Sequence, residues 1–156
     1  MIVRKMEEKD IEDVSATCMA SFLQSVADTL SEEGISTFSK IAASNAFLDR
    51  MKGDNLMLVS ENNGKIDGVI ELKEGRHVAM LFIRPEHHKK GIGRTLLSSA
   101  LNHAKVEIVT VSASLSSVSA YEKYGFECKG EAGESAGLAY QPMEIKLNKA
   151  IHATSA

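Results

Sequence analysis

Residues 78–104 constrain this chain more than any other stretch. Val78–Ile83 reads VAMLFI, the continuous apolar run expected of a strand buried on both faces. Pro85 and a turn follow, His88-Lys89-Lys90-Gly91-Ile92-Gly93. Ile92, Leu96, Leu97, Ala100, Leu101 and Ala104 then fall on one helical face with polar residues between them. A strand that runs through a glycine turn into a helix makes an anion site. The first amides of the helix have no internal partners, and the helix dipole places partial positive charge there. Gly91 and Gly93 remove side chains, so a phosphate can approach the backbone. Lys89, Lys90 and Arg94 add charge, and Arg84 lies close by in sequence. On Gly-x-Gly alone a tight turn edged by solvated lysines is the better account; strand, basic flank and amphipathic helix together reverse that and favour a phosphate cradle.

The residues narrow the anion. A dinucleotide loop needs Gly-x-Gly-x-x-Gly, and Leu96 stands at the third position. A Walker loop ends in Gly-Lys-Ser/Thr, whereas Gly93-Arg94-Thr95 lacks the lysine. Net charge is -3, which gives no overall basic signal for nucleic acid. Cys18 and Cys128 sit in no Cys/His cluster with zinc-ligand spacing, so no metal is expected, and two buried thiols are a simpler account than a disulfide. The opening MIVRKMEEKD has no apolar signal core, and no apolar run approaches the roughly 20 residues that span a bilayer, so a cytoplasmic location away from membranes is expected.

The composition, 44% hydrophobic and 25% charged over 156 residues, fits one globular domain over residues 1–148 with a fraying tail at 149–156. Met1–Met6 reads as a strand. Asp10 caps a helix bearing Ile11, Val14, Cys18 and Phe22 on one face. A second helix is predicted over Thr37–Met51, with Gln24–Ser36 as a connection. Leu56–Ser60 and Ile66–Lys73 form a hairpin about Asn62-Asn63-Gly64, and Glu74-Gly75 turns into the apolar strand. Glu107–Ala113 is a strand, Ser116–Tyr124 a short helix stopped by Gly125, and Phe126–Lys129 and Tyr140–Leu147 are closing strands. Three consecutive strands in the middle exclude a pure doubly wound sheet; a mixed α/β fold with helices on the sheet faces is expected.

What remains resembles the GNAT superfamily of N-acetyltransferases. Their pattern, Gln/Arg-x-x-Gly-x-Gly/Ala after a buried strand, is met by His88–Gly93, with His88 replacing the usual Gln or Arg. Ala120-Tyr121-Glu122-Lys123-Tyr124-Gly125-Phe126 is similar to the family's late motif, and Gly137–Met143 resembles a closing strand of some branches. The resemblance implies a GNAT-like acyl-CoA N-acyltransferase fold: a central, mostly antiparallel mixed sheet with about four helices. It implies that Leu81, Phe82 and Ile83 offer main-chain bonds to the pantetheine arm of acetyl-CoA. His88, Lys89, Lys90, Gly91, Ile92, Gly93 and Arg94 would hold the pyrophosphate, Ser114 and Ser117 would contact the cofactor arm, and Tyr121 would act as general acid.

Acetyl transfer from a thioester to a primary amine needs a neutral amine, a polarised carbonyl and a stabilised thiolate. A backbone amide near Phe82 or Ile83 suits the second need and Tyr121 the third; Tyr124 is assigned to packing. Glu71, His77 or a water relay remain open for the base. Neither cysteine lies in an activating motif, so direct transfer is expected. Asp28, Glu32 and Glu33, in the connection, could attract a cationic acceptor. The acceptor is a small-molecule amine or a peptide, and a homodimer is compatible with the resemblance. A non-catalytic acyl-CoA-binding module is the alternative.

Overall fold

The computed structural model of the chain describes residues 1–26, 31–87 and 90–147. The expected tail at 149–156, with His152, lies outside them, as do Asp28, His88 and Lys89. Five α-helices are present among the described residues: α1 (Ile11–Val26), α2 (Glu32–Ile41), α3 (Ser44–Met51), α4 (Ile92–Leu101) and α5 (Val118–Lys123). The strands are β1 (Ile2–Lys5), β2 (Asn55–Asn62), β3 (Lys65–Lys73), β4 (His77–Ile83), β5 (Ile108–Ala113), β6 (Glu127–Cys128), β7 (Gly133–Ser135) and β8 (Leu138–Lys146). They order as β1-β2-β3-β4-β5-β8-β6, with β7 a further partner of β8. Every pairing is antiparallel except β4 with β5.

Two hydrophobic layers cover the sheet. On one face, α4 and Tyr121 of α5 pack over Leu58, Ile70, Leu72, Val78, Val109 and Val111. On the other, α1, α2 and α3 pack Val14, Cys18, Phe38 and Phe47 over Met57, Val59, Val69 and Met80. The Asn63-Gly64 turn takes positive φ at both residues (53° and 78°), as a two-residue hairpin requires.

The structure corrects the long second helix. It breaks at Ala42-Ala43, where Ala43 turns extended (φ -65°, ψ 146°) to start α3. No helix breaker marks the place. The bared carbonyls are instead taken by distant groups: Arg50 Nη1 donates to Ile41 and Ser15 Oγ to Ala42. This break lets Phe38 and Phe47 both reach the core. The expected connection is also shorter, because Ser31 caps α2 by accepting from the Gly34 amide at 3.1 Å. Glu32 and Glu33 therefore stand in the first turn of a helix rather than in a loop. Asp10 sits in a short 3-10 turn; its carboxylate accepts from the Glu7 amide at 2.8 Å and from Arg4 at 2.8 and 2.9 Å.

Strand β4 is not buried on both faces. Ala79 is exposed and Leu81–Ile83 are half-buried. The reason is its partner: β4 pairs with β5 only at His77↔Thr110 and Val78↔Val111. Beyond those two residues the strands part, and the strand buried nearly throughout is β3, covered on seven consecutive residues.

Candidate active site

The parting of β4 and β5 opens a crevice in the sheet, closed at Val78 and Val111. Near that closed end β4 carries a bulge. Leu72 faces Val78 and Glu71 faces Met80, so Ala79 is an extra residue without a partner in β3. From Ala79 to Phe82 no strand of the described residues pairs on the β5 side, and the backbone there is available to an extended ligand. Leu81 and Ile83 turn toward the α4 layer, and Phe82 toward the other layer, edge-on to Phe38 at 5.2 Å.

At the open end stands the glycine turn. Gly91 is the residue before α4, in the left-handed region at φ 80°, and among the described residues no atom beyond its own neighbours comes within 4 Å of where a Cβ would stand. The turn offers no side-chain cap and no acidic residue in its first turn, in contrast to α2, which carries Ser31, Glu32 and Glu33. The amides of Ile92, Gly93 and Arg94 therefore have no intrahelical partner and no side-chain cap among the described residues, while the Thr95 amide closes the first helical bond to Gly91. Lys90 is exposed with Nζ 3.4 Å from His87 Nδ1. Arg94 is exposed but tethered, its Nη2 donating to the main-chain carbonyl of Lys123 at 3.2 Å. Arg84 is removed from the basic cluster. Its Nη2 donates to Asp13 at 3.0 Å and its Nε to the carbonyl of Ile66 at 2.9 Å, which ties the start of the turn to α1 and β3.

Ser114 and Ser117 meet at the end of β5, on the opposite arm of the crevice. Ser114 Oγ donates to Ser117 Oγ, and Ser117 Oγ to the Ser114 carbonyl, each at 2.9 Å. Tyr121 is buried, edge-on to Phe126 at 5.3 Å and to Tyr124 at 5.9 Å. Burial, then the neighbouring Tyr124, raises its pKa, so the phenol stays protonated across the physiological range. Tyr124 does more than pack: its hydroxyl oxygen stands 2.6 Å from where a Gly93 Cβ would be. The motif carried this tyrosine, but only the meeting of α4 with α5 reveals its reach.

The base candidates separate. His77 Nδ1 lies 2.7 Å from Thr110 Oγ1, and burial, with Arg76 and Lys73, lowers its pKa and favours the neutral ring. Glu71 is no strand-edge residue; it is 1% exposed, with Arg50 Nε 3.1 Å from both carboxylate oxygens. Burial raises its pKa, against the pull of Arg50. Of the cysteines, Cys18 is buried and Cys128 exposed, against the expectation of two buried thiols. Burial pushes the Cys18 thiol up to about 12, far from a ready thiolate. Among the described residues no group of three or more His, Cys, Asp or Glu could hold a metal, and no helix is long and apolar enough to cross a membrane.

The sequence model of the family described as "Acetyltransferase (GNAT) domain" matches residues 26–147. The chain belongs to the GNAT acetyltransferase family. Its fold agrees with solved members. A GCN5-related N-acetyltransferase from Rhodopseudomonas palustris is 27% identical, with 94% of this chain and 95% of that one covered and a TM-score of 0.81. The PaiA N-acetyltransferase of Thermoplasma acidophilum, solved in complex with coenzyme A, is 25% identical over 93% of this chain and 98% of that one, with a TM-score of 0.78. The UPF0157 protein YqkA of Bacillus subtilis (strain 168) is 36% identical over 72 residues, 42% of this chain and 21% of that protein. This GNAT chain thus spans about a fifth of that curated relative. The mixed, mostly antiparallel sheet expected from the resemblance is present, with five α-helices among the described residues where about four were expected.

Proposed function

We propose that this GNAT domain is an acetyl-CoA-dependent N-acetyltransferase that moves the acetyl group directly to a primary amine. The observation that carries the reading is the crevice between β4 and β5, opening beside an uncapped glycine turn. A pyrophosphate fits the amides of residues 92–94 and the open space at Gly91, with Lys90 and Arg94 as nearby cations. The pantetheine arm then lies along Leu81–Ile83, taking the place of the missing strand. Ala79 is four residues from Ile83, roughly 13 Å along an extended strand, which brings an extended arm to the bulge. Ser114 and Ser117 flank the arm from β5.

In the reaction the amine nitrogen attacks the thioester carbonyl, a C–N bond forms and the C–S bond breaks. Backbone amides at the bulge polarise the carbonyl oxygen. Tyr121 meets the leaving sulfur. Its raised pKa makes full proton transfer to a thiolate costly, so its contribution is a hydrogen bond that holds the developing charge until solvent protonates it. The amine's proton leaves through water to His77, which is kept neutral; Glu71 is locked under Arg50 and serves the scaffold. The acceptor is a small-molecule amine or a peptide. Free-thiol release with acetyl-CoA and a broad amine panel tests the reading, in wild type and in Tyr121→Phe. Turnover that falls at least tenfold in the variant while CoA binding survives is expected. Tight CoA binding with no turnover on any amine would replace the enzyme with an acyl-CoA-binding module.

A further inference from the structure

The two glycines of the turn do different work. A Cβ on Gly91 would meet nothing among the described residues beyond its own neighbours, but a Cβ on Gly93 would meet Tyr124 Oη at 2.6 Å and Ile83 Cγ1 at 3.8 Å. Gly93 is small to admit a tyrosine hydroxyl. Three elements converge at this point: the end of β4, the first turn of α4 and the end of α5. Tyr124 is half-buried, and its ring is fixed from two sides. The Arg94 guanidinium lies 5.3 Å from the ring centre, and Tyr121 stands edge-on at 5.9 Å. Arg94 is itself anchored to the carbonyl of Lys123. Packing thus delivers a phenol hydroxyl to the uncapped end of α4, where it has no hydrogen-bond partner among the described residues. The hydroxyl thus lies against Gly93 in the first turn of α4, whose leading amides are donors, and Arg94 adds positive charge over the ring. The group that complements such a set accepts hydrogen bonds and carries negative charge.

We propose that Tyr124 is a cofactor-binding residue whose hydroxyl donates to a pyrophosphate oxygen of CoA, where the phosphates give way to the arm along β4. The inference rests on the acetyl-CoA reading above. It makes Tyr124 the fixed point that sets how far the thioester reaches toward the bulge at Ala79. Calorimetric titration with CoA tests it in wild type, Tyr124→Phe, Gly93→Ala and the double variant. Tyr124→Phe keeps the ring and should bind CoA about tenfold more weakly, the loss of one charge-assisted hydrogen bond. Phosphorus NMR should show the bound pyrophosphate resonances shifted in that variant. Gly93→Ala, which displaces the hydroxyl, should weaken CoA to a similar degree, and the double variant should bind no worse than Tyr124→Phe. Unchanged affinity in folded Tyr124→Phe, or losses that add in the double variant, would overturn the role of Tyr124. A wild-type protein that does not bind CoA would overturn the acetyl-CoA reading itself.

Discussion

Adding one methyl group at Gly93 should change the sign of its effect on stability according to what occupies position 124. In the wild-type chain the new Cβ would lie 2.6 Å from the Tyr124 hydroxyl oxygen, roughly 1 Å inside an ordinary contact of about 3.5 Å. The ring cannot retreat freely, because Arg94 and Tyr121 hold it. Overpacking of this kind costs about 1–3 kcal/mol. Against it stands the gain of alanine over glycine in a helix, about 0.5–1 kcal/mol, since Gly93 does not use the left-handed region. The net is a loss of up to about 2.5 kcal/mol, or several degrees in Tm at about 2–4 °C per kcal/mol for a chain of this size. With phenylalanine at 124 the nearest ring atom is Cζ, at 3.6 Å, an ordinary contact. Only the helix gain then remains, and Gly93→Ala should raise Tm by about 1–4 °C. Thermal melts of the four proteins, followed by circular dichroism, give the coupling energy directly. Shifts of the same sign and size in both backgrounds would show that the hydroxyl does not stand over Gly93.

Two further outcomes follow from buried groups. Burial raises the pKa of Glu71 despite Arg50, so the folded chain binds its proton more tightly than the unfolded chain does. Stability from this group is full below the ordinary carboxylate value and is lost as pH rises through the folded value. Glu71→Gln should therefore match wild type in acid and gain on it toward neutral pH in urea melts, whereas Arg50→Met, which strands the carboxylate, should lose about 3 kcal/mol at neutral pH; a Glu71→Gln variant that falls behind as pH rises would mean that the ion pair outweighs burial. In thiol titration of the native protein Cys128 should react at once and Cys18 only on unfolding, with acetyl transfer intact after Cys128 is alkylated; prompt reaction at both thiols would contradict the packing of Cys18 against Met80.

The elements most legible in the sequence were those fixed by local chemistry. The Asn63-Gly64 hairpin, the apolar stripe of α4 and the glycine turn before it each follow from the residues on the spot. The break at Ala42-Ala43 was illegible for the opposite reason: alanine favours helix, and the turn is held by Ser15 and Arg50 from elsewhere in the chain. Likewise, VAMLFI reads as a doubly buried strand because apolar composition cannot report that β5 leaves it after Val78. Within the site, the glycine turn and Tyr121 were visible as motifs. The diversion of Arg84 to Asp13 was not, since a positive charge in sequence says nothing about the carboxylate it will find. Nor was the reach of Tyr124, which needs two helices brought together.

The strands that part in mid-sheet also bear on strand-to-strand association between chains. A run of unpaired strand backbone is ordinarily a template for another chain and an aggregation hazard. Here the run from Ala79 to Phe82 is interior, with β5 and β8 beyond it in the sheet. Its backbone groups are therefore met from within the crevice, between two strands of one sheet, rather than along an open edge.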